Sequence, residues 1–335
     1  MTINQIEQLF KLLDESSLVL KNELDSSYLD ALLETGENLI DGKQARQVEG
    51  VPTEAVIERL NRLYAQWEKD EVTPEEIRKA FQLALLKGAK VDNLQANHQM
   101  TPDAIGFIMS YIIEKMIGDE ATKIRIFDPA VGTANLLSTI YNHLTLKNIV
   151  VEAEGVDIDD LLLSLASVLI GLQRQSIKLI HQDAIQDLLV DPVDVVVSDL
   201  PVGFYPLDER VTDFKTKAKT GHSYAHHLLI EQSVHYLKPG GVGVFLVPSQ
   251  LFETEEAPAL TKFIQETSYL QGMLHLPKEL FKTEHSRKSI LLIQKKGAEA
   301  KQAKQVLLAQ IPDFKNQAAM LRFMNEVDTW KKENN

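Results

Sequence analysis

Apolar residues follow two different rhythms along the chain. Over the first 95 residues they recur every three to four positions. Ile6, Leu9, Phe10 and Leu13 share one helical face, and so do Val56, Leu60, Leu63 and Trp67. The stretch TPEEIRKAFQLALLKG predicts a helix with marked ends: Thr73 as N-cap, Pro74 at the first position, Glu76 three residues after the cap and Gly88 at the close. Residues 1–95 are therefore expected to form an N-terminal helical domain. After about residue 120 the rhythm changes to short apolar runs: KIRIFDPA, IVVEAEGVDI, IKLIHQD, VDVVVSD, GVGVFLVPS, LQGMLHLP and SILLIQKK. Helix-length segments such as NLLSTIYNHL and DDLLLSLASVLIGL separate the first four. This alternation predicts an α/β domain over residues 96–335, with right-handed crossovers and a mostly parallel sheet covered by helices on both faces. KQVLLAQIP predicts one more edge strand, and NQAAMLRFMNEVDTW a C-terminal helix.

Ligands on such sheets bind at the carboxyl ends of the strands, so the residues closing each run carry the functional interest. DPAVGTANLL follows the first strand. Gly132, Thr133 and Ala134 make a small-residue turn that opens a helix, where backbone N–H groups can approach a ligand. GVDIDD follows the second; Asp157 stands where a carboxylate can take both hydroxyls of a ribose, while Asp159 and Asp160 suit the start of the next helix. HQDAI follows the third, with Asp183 either facing the cleft or capping a helix. SDLPVGFYP follows the fourth, joining a carboxylate, a rigid proline and two aromatics.

Composition restricts the possibilities. The 335 residues are 44% hydrophobic and 25% charged, ordinary for a soluble globular protein. No cysteine is present, which excludes disulfides and thiolate metal sites and suits a cytoplasmic protein. No run of about 18 apolar residues predicts a membrane span, and the acidic N-terminus lacks the basic start of a secretory signal. The net charge of −13 gives no global footprint for nucleic acid, so a polyanion would need a local basic patch or a basic partner. Lys215, Lys217 and Lys219 form the conspicuous basic cluster, in a loop read either as a phosphate contact or as a solvated surface. His226 and His227 have no acid–His spacing that favours a metal, and they are read as helix-surface and packing residues. No metal site is expected.

The ordered series of small-residue turn, acid, acid and Asp-Leu-Pro loop resembles the class I, Rossmann-like methyltransferases that use S-adenosylmethionine. The resemblance is strongest to N6-adenine DNA methylases related to modification subunits of type I restriction systems, including small stand-alone relatives in Gram-positive bacteria. QMTPDAIGFIMSYII, LIEQSVHYLKPGGVGVFLVPSQLF, LHLPKELF and SRKSILLIQKK fit the same branch, so the match spans roughly residues 98–297. It implies S-adenosylmethionine as cofactor, held by Thr101, Asp128, Ala130, Gly132, Thr133, Asn135, Asp157, Ile158, Asp183 and Ala184. It implies nucleic acid, DNA above all, as the substrate partner.

In that branch an Asn/Asp-Pro-Pro-aromatic loop prepares an exocyclic amine for methylation. An acidic or amide oxygen and a backbone carbonyl accept the two amine hydrogens and aim the nitrogen lone pair at the methyl group. An aromatic ring stacks on the flipped base. By resemblance the catalytic set is Asp199, Pro201, Phe204 and Tyr205. The loop departs from the pattern at Leu200, where the first proline is usual, and at Val202, where the aromatic is usual. Either Gly203 lets Phe204 or Tyr205 reach the base, or the acceptor lies in RNA or a protein amide, or the chain binds cofactor in a regulatory role with little catalysis.

Overall fold

The computed structural model describes residues 3–67, 72–93, 100–297 and 299–334. The boundary expected at residue 95 lies outside the described residues. The N-terminal helices are α1 (Ile3–Leu24), α2 (Tyr28–Ile40), α3 (Glu54–Tyr64) and α4 (Pro74–Val91). The start of α4 is the capping box expected from the spacing. The Thr73 hydroxyl accepts from the Glu76 N–H at 3.3 Å, and the Glu76 carboxylate accepts from the Thr73 N–H at 2.9 Å.

The α/β part runs α5 (Asp103–Ile117), β1 (Lys123–Asp128), α6 (Asn135–Leu146), β2 (Val150–Asp157), α7 (Asp160–Gln173), β3 (Ile177–His181), β4 (Val193–Asp199) and α8 (Ala225–Tyr236). It continues through β5 (Leu237–Pro248), α9 (Ala257–Thr267), β6 (Ser268–His275), β7 (Lys288–Lys295), β8 (Leu307–Gln310) and α10 (Gln317–Glu333). These strands form one sheet in the order β3-β2-β1-β4-β5-β7-β6-β8. All point the same way except β7, which is antiparallel to both neighbours. The strand order reverses between β1 and β4, and this puts a crevice at their carboxyl ends. The expected edge strand and C-terminal helix are β8 and α10. β5 begins earlier than its apolar run: Leu237 pairs with Val193 and Val242 with Val195, so residues 238–241 bulge within the strand.

One face of the sheet is covered by α5, α6, α7 and α10, and the other by α8 and α9. Helix α7 is apolar nearly all round, the pattern of a helix wet on neither side. Leu163, Ala166 and Ile170 pack toward the sheet, whereas Leu165, Val168, Leu169 and Leu172 join the core of the N-terminal helices. The N-terminal helices thus close over the back of α7. The approach is closest at Gly36 of α2, where a Cβ would lie 2.1 Å from Val168 Cγ1.

His226 and His227 are not surface residues. They sit buried on α8, ring against ring at 4.8 Å. Burial lowers His227 to about 4, and burial together with the neighbouring His227 lowers His226 to about 3.

Gly36→Ala should lower the unfolding free energy by about 1–3 kcal/mol through overpacking. Val168→Ala should recover part of that loss in the double variant. Denaturant titration reads both, and simple additivity of the two losses would contradict the close packing of α2 on α7. The histidines set a second expectation. Above about pH 6.5 both are neutral folded or unfolded, and stability owes nothing to them. Below it the unfolded chain takes up protons that the folded chain refuses, so stability falls as pH drops toward 4. His227→Gln should flatten that fall by about 1.4 kcal/mol per pH unit. An unchanged slope in a pH series of unfolding curves would mean that His227 protonates in the folded state.

Candidate active site

The first strand ends in Asp128, which is buried. Its Oδ1 accepts from the Ala130 N–H at 3.0 Å. Burial pushes its carboxyl up to about 7, and the nearby Asp157 and Asp199 carboxylates act in the same direction. The Val131 N–H donates to the Val156 carbonyl at 2.9 Å and stitches the turn to β2. Gly155 permits this contact, since a Cβ there would lie 2.7 Å from Val131. Gly132 and Ala134 both take left-handed backbone, at φ 53° and 59°. The Gly132 N–H donates to Asp157 Oδ2 at 2.7 Å, and the Asp159 N–H to Oδ1 at 3.0 Å. Nothing lies within 4 Å of the place a Gly132 Cβ would occupy, so the turn faces open space. Ile158 stands beside Asp157, 66% exposed. Thr133 and Asn135 lie buried beneath the turn. The Asn135 side chain donates to the Thr101 carbonyl at 3.1 Å.

Asp183 follows β3. Its Oδ1 accepts from the Ile185 N–H at 3.0 Å and closes a turn; among the described residues no helix lies between β3 and β4 for it to cap. Its Oδ2 accepts from Tyr205 Oη at 2.6 Å and Arg210 Nη1 at 3.0 Å. Ala184 is buried, its carbonyl taken by Gln232 at 2.9 Å. Burial and the hydrogen bond to Asp183 push the Tyr205 phenol up to about 12.

Asp199 ends β4 at the mouth of the sheet. Thr101 Oγ1 donates to its Oδ2 at 2.8 Å, and Lys288 Nζ to its Oδ1 at 2.5 Å. Leu200 is fully buried and its N–H continues the ladder to Leu246 at 3.1 Å. Pro201 follows, half-buried, and its backbone hydrogen-bonds the His226 ring. Val202 faces solvent. Gly203 takes φ 144°, and its carbonyl accepts from the Ala225 N–H at 2.9 Å. The next two residues are extended and point to opposite sides. Tyr205 turns inward to Asp183. Phe204 turns outward, 59% exposed, with one ring face stacked on Tyr224 at 4.8 Å and 21°. The two aromatics of this loop therefore separate: Tyr205 is bonded to the acid after β3, and Phe204 stacks on Tyr224 with its other face exposed.

The basic loop is anchored. Buried Glu231 accepts from the Lys215 and Thr216 N–H groups at 3.0 and 2.8 Å, and Thr216 points inward. Lys215, Lys217 and Lys219 all point outward. Lys215 meets Glu266 at 3.2 Å, and Lys217 Nζ donates to the Thr212 carbonyl. Among the described residues no cluster of three His, Cys, Asp or Glu side chains is placed to hold a metal, and no helix is long and apolar enough to cross a membrane. A cavity of about 670 Å³ lies at the opposite end of the sheet, lined by Lys123, Asp194, Lys238 and Trp330. The strand-end acids are all at the other end.

Lys288, Arg210 and Tyr224 carry no signal in the sequence pattern. Lys288 reaches Asp199 because β7 runs backwards, so its first residue lies at the carboxyl ends of the other strands. Nothing in SRKSILLIQKK fixes that direction.

Residues 7–89 match the YtxK N-terminal helical domain, and residues 77–332 match the N-6 DNA methylase family. The chain is 43% identical to the uncharacterized protein YtxK of Bacillus subtilis (strain 168), over 98% of each chain. It is 46% identical to a Listeria monocytogenes protein of known crystal structure assigned to the class I S-adenosylmethionine-dependent methyltransferases. That match has a TM-score of 0.90 and covers 98% of this chain and 99% of that one. The methyltransferase subunit of a type I restriction-modification system from Streptococcus thermophilus shares the fold at 14% identity, with a TM-score of 0.64 over 93% of this chain and 73% of its own. The chain thus belongs to the N-6 DNA methylase family, with a class I methyltransferase fold that takes S-adenosylmethionine as cofactor and a YtxK-type helical domain at its N-terminal side.

Proposed function

We propose that the protein methylates the exocyclic amine of adenine in DNA, in the cytoplasm, at the crevice where β1 and β4 diverge. The observation that carries this reading is an exposed aromatic backed from one side, Phe204 on Tyr224, in the loop that leaves β4 directly after Asp199. The site fits S-adenosylmethionine. The open space over Gly132 suits its methionine part, Asp157 the ribose hydroxyls, exposed Ile158 one face of the adenine, and Asp183 the adenine edge. When bound, this cofactor supplies an electrophilic methyl group on a sulfonium.

The chain's own residues prepare the acceptor. An ionised carboxylate has about four lone-pair sites. Thr101 and Lys288 occupy one on each oxygen of Asp199 and leave room for an incoming N–H. The Leu200 carbonyl precedes Pro201, whose ring stiffens the loop and offers no competing N–H. Together they accept the two amine hydrogens and turn the nitrogen lone pair toward the methyl carbon. Transfer would form the N–C bond as the S–C bond breaks, and one amine proton would leave to solvent. Phe204 presents its free face to a flipped base, with Tyr224 fixing the ring from behind. The outward lysines at 215, 217 and 219 face the DNA backbone, and with a net charge of −13 a basic partner supplies the remaining affinity.

Transfer of labelled methyl groups to unmethylated plasmid, followed by nucleoside mass spectrometry, should detect N6-methyladenine. Label found in RNA or protein, or in no acceptor, would overturn the assignment. Asp199→Ala should lower the rate by about 10²–10³-fold, whereas Asp199→Asn, whose amide oxygen still accepts, should keep substantial activity. Equal rates in wild type and both variants would remove the loop from catalysis.

The two aromatics should separate in kinetics. Phe204→Ala should weaken DNA use by about 1–3 kcal/mol, the value of one base–aromatic stack, and leave cofactor affinity alone. Tyr205→Phe should act on cofactor affinity, through Asp183. The opposite assignment of effects would mean that Tyr205 is the base platform.

A further inference from the structure

Arg78 lies on α4, among the N-terminal helices, and has no exposed surface. All five of its guanidinium N–H donors are used. Nε and Nη2 meet the two oxygens of Glu75 at 2.8 and 2.7 Å, and Nη1 and Nη2 meet those of Asp103 at 2.9 Å each. The remaining Nη1 proton goes to Asn135 Oδ1 at 2.7 Å. Burial works against the charged form, but the paired carboxylates outweigh it and hold the guanidinium protonated.

A salt bridge fastening α4 to α5 would need Asp103 alone, since Glu75 lies on α4 with Arg78. The contact with Asn135 does something else. Asn135 opens α6 directly after left-handed Ala134, so it anchors the turn that follows β1. A guanidinium only donates. It therefore draws the Asn135 oxygen toward itself and leaves Nδ2 to donate to the Thr101 carbonyl. Thr101 in turn donates from Oγ1 to Asp199. A continuous hydrogen-bonded path runs from the N-terminal helices through the cofactor turn to the carboxylate at the mouth of β4.

We propose that Arg78 is a positioning residue of the methyltransferase site, which orients the Asn135 amide and through it fixes both the turn after β1 and, by way of Thr101, the Asp199 carboxylate. The N-terminal helices are then part of the active-site framework. The Asp199 end of the path rests on the reading of that residue as the amine acceptor; the cofactor end does not.

The test uses the full chain and calorimetry with S-adenosylhomocysteine, so it needs no methyl acceptor and stands or falls apart from the DNA assignment. Asn135→Asp keeps an acceptor for Arg78 but replaces the donor to Thr101. It should retain the melting temperature and weaken binding by about tenfold, within the range of coupled neighbours. Arg78→Lys should weaken binding to a similar degree. The double variant should bind no worse than Asn135→Asp alone, since both cut one path. Lys87→Met removes the pair that another α4 residue makes with Asp14 and should leave affinity unchanged. Wild-type affinity in Asn135→Asp overturns the proposal even if Arg78→Lys does not fold. Multiplying effects in the double variant also overturn it, because Asn135 would then act without Arg78.

Discussion

Helix α7 has to be buried on both sides, and the rest of the architecture follows from that requirement. Its sequence, DLLLSLASVLIGLQ, has too little polar surface to face water. The sheet covers one side. Only another layer can cover the other, and α2 and α4 provide it with Leu29, Leu32, Phe81 and Leu85. Gly36 brings the backbone of α2 against Val168. Once α4 is pinned there, Arg78 lies within reach of Asp103 and Asn135. An apolar requirement on one helix thus delivers a charged side chain to the edge of the turn after β1.

Four carboxylates gather at the same end of the sheet, and each is stabilised differently. Asp128 is buried, and its carboxyl is pushed up to about 7. Asp157 is held by two backbone N–H groups. Asp183 is bridged by Tyr205 and Arg210. Asp199 is flanked by Thr101 and Lys288. Unpaired, such a group of charges would repel one another. The arrangement leaves Asp157 and Asp199 half-buried at opposite sides of the crevice, with lone pairs still able to accept from a ligand. Tyr205 ties the loop after β4 to the acid after β3 through one hydrogen bond.

Much of this was legible in the residues. The apolar runs marked every strand, and the crevice rule directed attention to Gly132, Asp157, Asp183 and Asp199, which the fold brings to one mouth. Leu200 and Val202 read as departures from a known loop; the fold buries the first and leaves the second in solvent. What could not be read depends on tertiary direction. Lys288 matters because β7 is antiparallel, and a run such as SILLIQKK reads the same in either direction. Arg78 carries no such signal either: Glu75 lies one turn away on the same helix, but its other two acceptors, Asp103 and Asn135, lie 25 and 57 residues away in the chain. Phe204 and Tyr205 were a single pair in the sequence; the extended backbone after Gly203 sends them to opposite sides. His226 and His227 were read as partly surface, and burial in the core overrode that reading.

A crystal structure of the full chain with S-adenosylhomocysteine is the most direct measurement. The ribose hydroxyls should lie within hydrogen-bonding distance of Asp157, the methionine part should lie over Gly132, and the sulfur should face Asp199 across an open gap. Ligand density at the amino ends of the strands, in the cavity lined by Lys238 and Trp330, or a sulfur directed away from Asp199, would contradict the assignment of the crevice as the methyl-transfer site.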